Sequence, residues 1–392
     1  MKHKPIRRIS RKSAGQLNDS PPPRTIIYVS GTRADFGLMQ RTLLAVKSHP
    51  RLRLRVVATG THLDNSRGAT LGELVSAGLL PDAVIDWKDT GTPTSVASAT
   101  FRLSSALLPL LRKWRADGLL VLGDRVEAFA AAAAAHLAGL LIAHVHGGDR
   151  AQGQADDTLR HVISKLAHLH FPATGQSASR LIKLGEERRR VLIAGAPGCE
   201  AIRQQAASTS IVRKVLGDVS RAAVLSLHPV TPHAAIESLG TQAVIRGTLA
   251  GGVTRIIALM PNADPGAAGI VRALQADKRV ELHAHVPRTI FLGLLRDAAI
   301  LVGNSSAGIV EAGSFGIPVV DIGPRQLGRE HGHNVHHVGY RATQIQRAVA
   351  RLLGKRYRTT SPYDRPGTAA LITNTLANED CWTWPRHKVI TY

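Results

Sequence analysis

Cysteine is nearly absent from the 392 residues: only Cys199 and Cys381 occur, far apart, which excludes a disulfide framework and fits a reducing compartment. Aromatic residues are scarce at 4%, so any core must be built from Ala, Val, Ile and Leu. The rings on which single-stranded nucleic acid stacks are missing with them. No apolar run reaches the roughly 18–20 residues of a membrane-spanning helix. The longest, Ala128 to Ile142, is interrupted by His136 and rich in small residues, and reads as a buried helix. The basic N-terminus lacks the apolar core and cleavage site of a secretory signal. A cytoplasmic location with no membrane partner is therefore expected.

Acidic residues are also few, 28 against 50 Lys and Arg, for a formal charge of +22. Residues 1–24 carry seven of the basic side chains against Asp19 alone, and the remaining excess is spread along the chain, mostly as arginine. A nucleic-acid binder is expected to cluster its charge, so a solvated arginine-rich surface is the preferred reading, with no nucleic-acid partner.

What is present is a regular alternation. Residues 1–23 mix charge, Ser and Gly and end in three prolines, predicting a disordered basic tail. From Arg24 short apolar runs alternate with helical patterns, which predicts α/β architecture with doubly wound parallel sheets. Strands are expected at 25–30, 54–59, 83–86, 119–123, 141–146, 169–172 and 191–194, then at 223–227, 255–260, 280–285, 300–302 and 319–322. Gly195-Ala196-Pro197-Gly198 breaks the pattern, so two domains are expected, 24–196 and 197–365. Residues 366–392 are expected to return to the first domain through a helix near Thr368–Ala377.

In open parallel sheets ligands bind beyond the carboxyl ends of the strands, and the informative residues follow the apolar runs. Gly31-Thr32-Arg33-Ala34-Asp35 can cradle a phosphate or merely cap a helix. Gly123-Asp124-Arg125 puts an acid at a sheet edge. His144 and His146, two apart, are expected on one strand face, without a third ligand at zinc spacing. Asp156-Asp157 with Arg160 and His161 opens a helix, and spacings of three and four predict that Arg160 holds the two carboxylates. His228 follows a strand of the second half. Gly303-Asn304-Ser305-Ser306 opens a further helix whose N–H groups suit a diphosphate, with Glu311 one turn on.

Seven segments in order resemble the hydrolysing UDP-N-acetylglucosamine 2-epimerases of sialic-acid-type pathways: GTRADFG, LGDRVEA, AHVHGGD with DDTLRHVISKLAHLHF, HPVT, MPNADPG, HVP and GNSSAGIVEAGSFGIPVVDIGPRQLGRE. They run from residue 31 to about 330. The resemblance implies two Rossmann-like domains with an interdomain cleft, as in GT-B glycosyltransferases. It implies catalysis by Asp124 and Asp156, assisted by Asp157, His146 and Arg160, with an essential imidazole from His228 across the cleft. Substrate contacts are implied at Arg33, Asp35, Arg125, Asn262, Asp264, Ser305, Ser306 and Arg325, with Glu311 on the ribose and His285 beside the uracil. No cofactor or metal is implied, and the histidine-rich stretch 331–337 reads as a cleft-side loop. The partner implied is a UDP-sugar, and a homodimer is expected from resemblance alone.

The implied reaction converts UDP-N-acetylglucosamine to N-acetylmannosamine and UDP. Asp149 and Asp157 stand where many relatives carry glutamate, which leaves a UDP-2,4-diacetamido-trideoxy sugar as the alternative substrate. A non-hydrolysing epimerase, a glycosyltransferase and a non-catalytic nucleotide-sugar or nucleic-acid binder are the competing readings.

Overall fold

The computed structural model describes residues 22–64, 70–87, 92–150, 155–261, 264–359 and 361–391, with Ala155 and Asp156 described in backbone only. The tail expected over 1–23 lies outside the described residues but for its last two. Twelve strands form among the described residues, in two six-stranded, all-parallel sheets. The first holds β1 (Arg24–Ser30), β2 (Leu52–Ala58), β3 (Ala83–Val84), β4 (Gly118–Leu122), β5 (Leu141–Val145) and β6 (Leu169–Phe171) in the order β3-β2-β1-β4-β5-β6. The second holds β7 (Ala222–Ser226), β8 (Arg255–Leu259), β9 (Val280–His283), β10 (Ile300–Gly303), β11 (Val319–Ile322) and β12 (Val335–Val338) in the order β12-β11-β10-β7-β8-β9. Counted from its own first strand, each sheet repeats one topology, and the direction of winding reverses between β1 and β4 and between β7 and β10.

The sequence dictates this layering. Parallel strands are covered by helices on both faces, so they read as continuous apolar runs. In β1, Ile26 and Tyr28 enter one core with Phe36, Met39 and Leu43 of the helix Arg33–Ser48. Ile27 and Val29 point the other way, into a second core with Leu103 and Leu107 of the helix Pro93–Lys113 and the alanines of Val126–Leu137. That alanine run is the long apolar stretch noted above; its small side chains let two helices approach closely, and no described helix is long and apolar enough to cross a membrane. The second sheet is sandwiched in the same way. The helix Thr368–Ala377 gives Ile372 and Leu376 to the core that holds Phe36 and Met39, beside the first sheet.

Two expectations need correction. The strand expected at 191–194 is reduced to one bridge, Val191 to His170, with Leu192 and Ala194 donating to the His170 and Pro172 carbonyls at 2.9 Å, before Gly195 turns the chain away at φ +83°. The loop expected at 331–337 contains the edge strand β12, whose polar His336 and His337 alternate poorly with Val335 and Val338 and hid the period.

Candidate active site

At both reversal points the chains leave the sheet in opposite directions, which opens a crevice at the carboxyl ends of the strands. The lining residues follow those ends. Thr32 comes after β1, Gly123, Asp124 and Arg125 after β4, and His146 after β5. Ser226 and His228 lie at the end of β7, Ser305 and Ser306 after β10, and Arg325, Gln326 and Arg329 after β11. Two adjoining compartments of about 190 and 250 Å³ share Ala34, Leu38, Ser306 and Glu311. The first is ringed by acid, imidazole and guanidinium side chains. The second carries Leu259, Met260, Val286 and Phe291 and suits a flat heterocycle.

In the first compartment Arg160 is the bracket. It lies almost fully buried, with Nη2 hydrogen-bonded to Oδ2 of Asp124 and Nη1 donating to the His146 carbonyl at 3.1 Å. Burial, with Arg329 and Arg325 nearby, lowers its pKa to about 9, still well above neutrality. Asp124 is thereby held as a carboxylate at the cavity wall. The spacing argument had Arg160 gripping Asp156 and Asp157; instead it turns inward across the sheet edge. Asp157 faces His161 at 3.8 Å and does not line the cavity. The Asp156 side chain lies outside the described residues.

His144 and His146 do not share a face. His144 is buried with Nε2 bonded to the Gly123 carbonyl at 2.7 Å and Nδ1 to Ser164 at 3.1 Å, so it fixes the turn that carries Asp124. The strand ends at Val145, and His146 adopts φ +63°, a left-handed conformation rare for a residue with a Cβ. That turn aims its ring at the cavity. Its Nδ1 meets Oδ2 of Asp149 at 3.0 Å. Asp149 is itself buried, and Arg329 from the second half (2.8 Å) and Ser177 (2.8 Å) complete its shell. Burial alone raises the Asp149 pKa, but Arg329 and His146 outweigh it and hold the group well below the usual carboxylate range. Arg329 lies over the Tyr363 ring, and that ring stacks on His146 with centroids 6.5 Å apart. Asp149, Arg329 and Tyr363 were absent from the expected site. Asp149 lay in a quoted motif, but its partners are up to 180 residues away.

On the facing wall Asn304 is fully buried. Its side chain clamps the His228 backbone, accepting from the His228 N–H at 2.7 Å and donating to the His228 carbonyl at 2.8 Å. The Asn304 carbonyl takes Arg325 (3.2 Å) and Gln326 (2.9 Å). Gly303 permits this close approach: at φ +140° a Cβ there would sit 2.0 Å from the Ser226 carbonyl oxygen. Burial, with Arg325 and Arg125 alongside, lowers the His228 pKa to about 3, so the imidazole is neutral in the free protein. Ser305 caps the following helix and Ser306 lines both compartments.

Other expected contacts are redistributed. Asp35 spends both oxygens on its own loop, accepting from Ser30, Gly31 and Thr32 at 2.6–2.9 Å, so it lines the cleft as a capping group. Arg125 turns to Glu127 at 3.1 Å while still lining the cavity. Arg33 crosses between the halves to His285 and to the Val286 carbonyl at 2.9 Å. His285 thus faces outward and also meets Glu73 at 3.4 Å, whereas His283, Ala284 and Val286 line the second compartment. Glu311 is buried and accepts from Arg288 at 2.7 Å. Asp264 lies in the turn before the helix Ala267–Ala276, away from the lining residues, and Asn262 is outside the described residues.

Comparison with known proteins places the chain in a family with this fold. The family model described as UDP-N-acetylglucosamine 2-epimerase matches residues 44–377. A hydrolysing UDP-N,N'-diacetylbacillosamine 2-epimerase of Legionella pneumophila is 36% identical, over 80% of this chain and 84% of its own. A UDP-N-acetylglucosamine 2-epimerase of Neisseria meningitidis is 33% identical, over 83% and 86%. In fold, the chain is similar to a UDP-GlcNAc 2-epimerase structure from Neisseria meningitidis bound to UDP-GlcNAc, with TM-score 0.75 and 19% identity over 90% of this chain and 99% of that one.

Proposed function

We propose that this chain, which belongs to the UDP-N-acetylglucosamine 2-epimerase family, is a hydrolysing 2-epimerase of UDP-activated 2-acetamido sugars. The observation that carries the reading is the pairing of opposite walls. Proton-handling groups, Asp124 and His146, line one side of the cleft, while Arg325, Ser306 and a neutral His228 line the other.

The chemistry needs both walls. The sugar C2 proton has no neighbouring carbonyl to acidify it, so its removal must accompany breakage of the C1–O bond. The electron pair of that bond leaves with UDP, and positive charge builds on the ring. Asp124, kept ionised by Arg160, stabilises that charge and is our candidate base. Arg325 and the N–H groups after Ser305 neutralise the departing diphosphate. The anion also offsets the field of Arg325 and Arg125, which adds to burial in lowering the His228 pKa, and His228 stands beside the leaving group. The product of this half is a bound 2-acetamidoglucal. His146, oriented by Asp149, is our candidate for proton return to C2. Water then supplies hydroxyl to C1. Substrate plus water thus gives UDP and a free sugar inverted at C2.

UDP-N-acetylglucosamine is the substrate we put first, giving N-acetylmannosamine for sialic-acid synthesis. The 36% identity to the Legionella relative favours UDP-N,N'-diacetylbacillosamine as the second reading. Proton NMR in deuterated water tests both. Free C2-deuterated N-acetylmannosamine appearing together with UDP supports the first reading, and the corresponding diacetamido sugar the second. An epimer that keeps its UDP would instead mean non-hydrolysing chemistry, and silence with both substrates would leave a binding protein. We further propose a homodimer in solution and a division of the chain near residue 196 into two domains.

A further inference from the structure

The segment joining β11 to β12, together with β12, carries His331, His333, His336 and His337, and none of them lines the two cleft compartments. His337 Nδ1 lies 2.7 Å from Oδ2 of Asp321, a carboxylate 1% exposed on β11. His331 Nδ1 lies 2.9 Å from the Gly332 carbonyl. A carbonyl and an ionised carboxylate can only accept, so each ring spends its Nδ1–H there. Each ring then presents the lone pair of Nε2, and the two Nε2 atoms face each other at 3.2 Å. Lone pairs at that distance repel unless positive charge sits with them. The charge can be a proton on one ring or a metal ion between the two.

The geometry points to the metal: we propose that His331 and His337 chelate a divalent first-row transition ion of the Zn²⁺ type, with Asp321 anchoring His337 from outside. Metal–nitrogen bonds of about 2.0–2.1 Å put two imidazole nitrogens on one ion about 2.9 Å apart at a right angle and about 3.4 Å apart at the tetrahedral angle. The observed 3.2 Å falls between them. Metal-bound histidines characteristically donate their other ring N–H to a carboxylate or a backbone carbonyl, and this pair has one of each. Among the described residues no group of three or more His, Cys, Asp or Glu side chains is arranged to hold a metal ion. The site is therefore open, two imidazoles and solvent. His333 lines the same surface hollow as His331, with Ser361 and Asp364. An ion here ties the end of the loop to β12, and that loop delivers Arg325, Gln326 and Arg329 to the cleft.

The test is calorimetric titration of the untagged full chain with Zn²⁺ at neutral pH, independent of turnover. Other histidines can bind zinc weakly, so the difference between variants is the readout. Wild type should bind with saturation. His331→Gln and His337→Gln, both at exposed positions that leave the core intact, should each weaken binding at least tenfold. Asp321→Asn should weaken it about 10- to 100-fold through loss of the outer partner. Absence of saturable binding, or binding indifferent to both histidine substitutions, would overturn the proposal and leave a shared proton as the charge between the rings.

Discussion

Lowering the pH from about 7 to about 5 should loosen this fold through His62, His144 and His168, which are all essentially inaccessible, and linkage gives the size of the effect. Each ring is complete as a neutral molecule. His62 bonds Ser30 and Thr70, both at 2.8 Å. His144 bonds the Gly123 carbonyl and Ser164. His168 donates to the Arg386 carbonyl at 3.0 Å and accepts from the Ile142 N–H at 3.0 Å, so a second proton would face a donor. Burial lowers the three pKa values to about 4, about 3 and about 4.

In the unfolded chain these groups return to about 6.5. Their folded pKa values lie below that. As the pH falls through 6.5 the unfolded state therefore takes up protons that the folded state cannot, and stability is lost on the way down. At pH 5 each histidine contributes a loss of about 2 kcal/mol, or about 6 kcal/mol for three. Asp35 works the other way. Burial raises it to about 6, so the folded state gains a proton first and returns about 1 kcal/mol over the same interval. Glu186, pulled to about 2 by His170, Lys165 and Lys388 despite its burial, acts only below this window. The loss from these four groups, about 4–5 kcal/mol, is a large share of the 5–15 kcal/mol of an ordinary fold, and His228, lowered to about 3, adds to it in the same direction. Urea midpoints measured at pH 7, 6 and 5 should fall steadily. A midpoint unchanged between pH 6.5 and 5 would refute the reasoning, because these rings could then accept protons in place.

Asp124→Asn should lower kcat by about 10²–10⁴ while UDP affinity, measured by calorimetry, stays within about tenfold; near-normal turnover would remove Asp124 from the chemistry. Asp149→Asn keeps the shape but not the charge that orients His146, so kcat should fall about 10²-fold or more with little change in KM, and a pure KM effect would refute that role. Arg33→Ala loses the bonds to His285 and Val286 that span the halves and should raise KM more than it lowers kcat. Deleting residues 1–22 should leave steady-state rates unaltered, and a loss of activity would give the basic tail a part in the reaction.

Much of the fold was legible because parallel strands buried on both faces announce themselves as apolar runs. The run Ile26-Ile27-Tyr28-Val29 feeds two cores at once and could hardly be anything else. The failures have the same origin. β12 is an edge strand with histidine on both faces, so it shows no run, and 191–194 shows a run that pairs only through one bridge and two backbone hydrogen bonds before Gly195 turns it away. In the site, the positions after β4, β5, β7 and β10 were found because strand ends can be counted, and Arg325, after β11, came from the resemblance alone. The direction of each side chain could not be, since it depends on partners elsewhere in the chain.

The capping residues make the limit concrete. At the carboxyl edge of a parallel sheet, the turn that receives a ligand is also the turn that starts a helix, and both tasks favour the same small acids and hydroxyls. Asp35 and Asp124 are therefore indistinguishable by local spacing. What separates them is the origin of their partners. Asp35 is satisfied by Ser30, Gly31 and Thr32, within five residues, and has no oxygen left over. Asp124 is held by Arg160, 36 residues away, and Asp149 by Arg329, 180 residues away in the other half of the chain. A carboxylate satisfied by its own turn gains nothing from the closed cleft. One whose counter-charge arrives from a distant segment acquires its charge state and orientation only when the fold is complete, which is the condition a proton-transfer group has to meet.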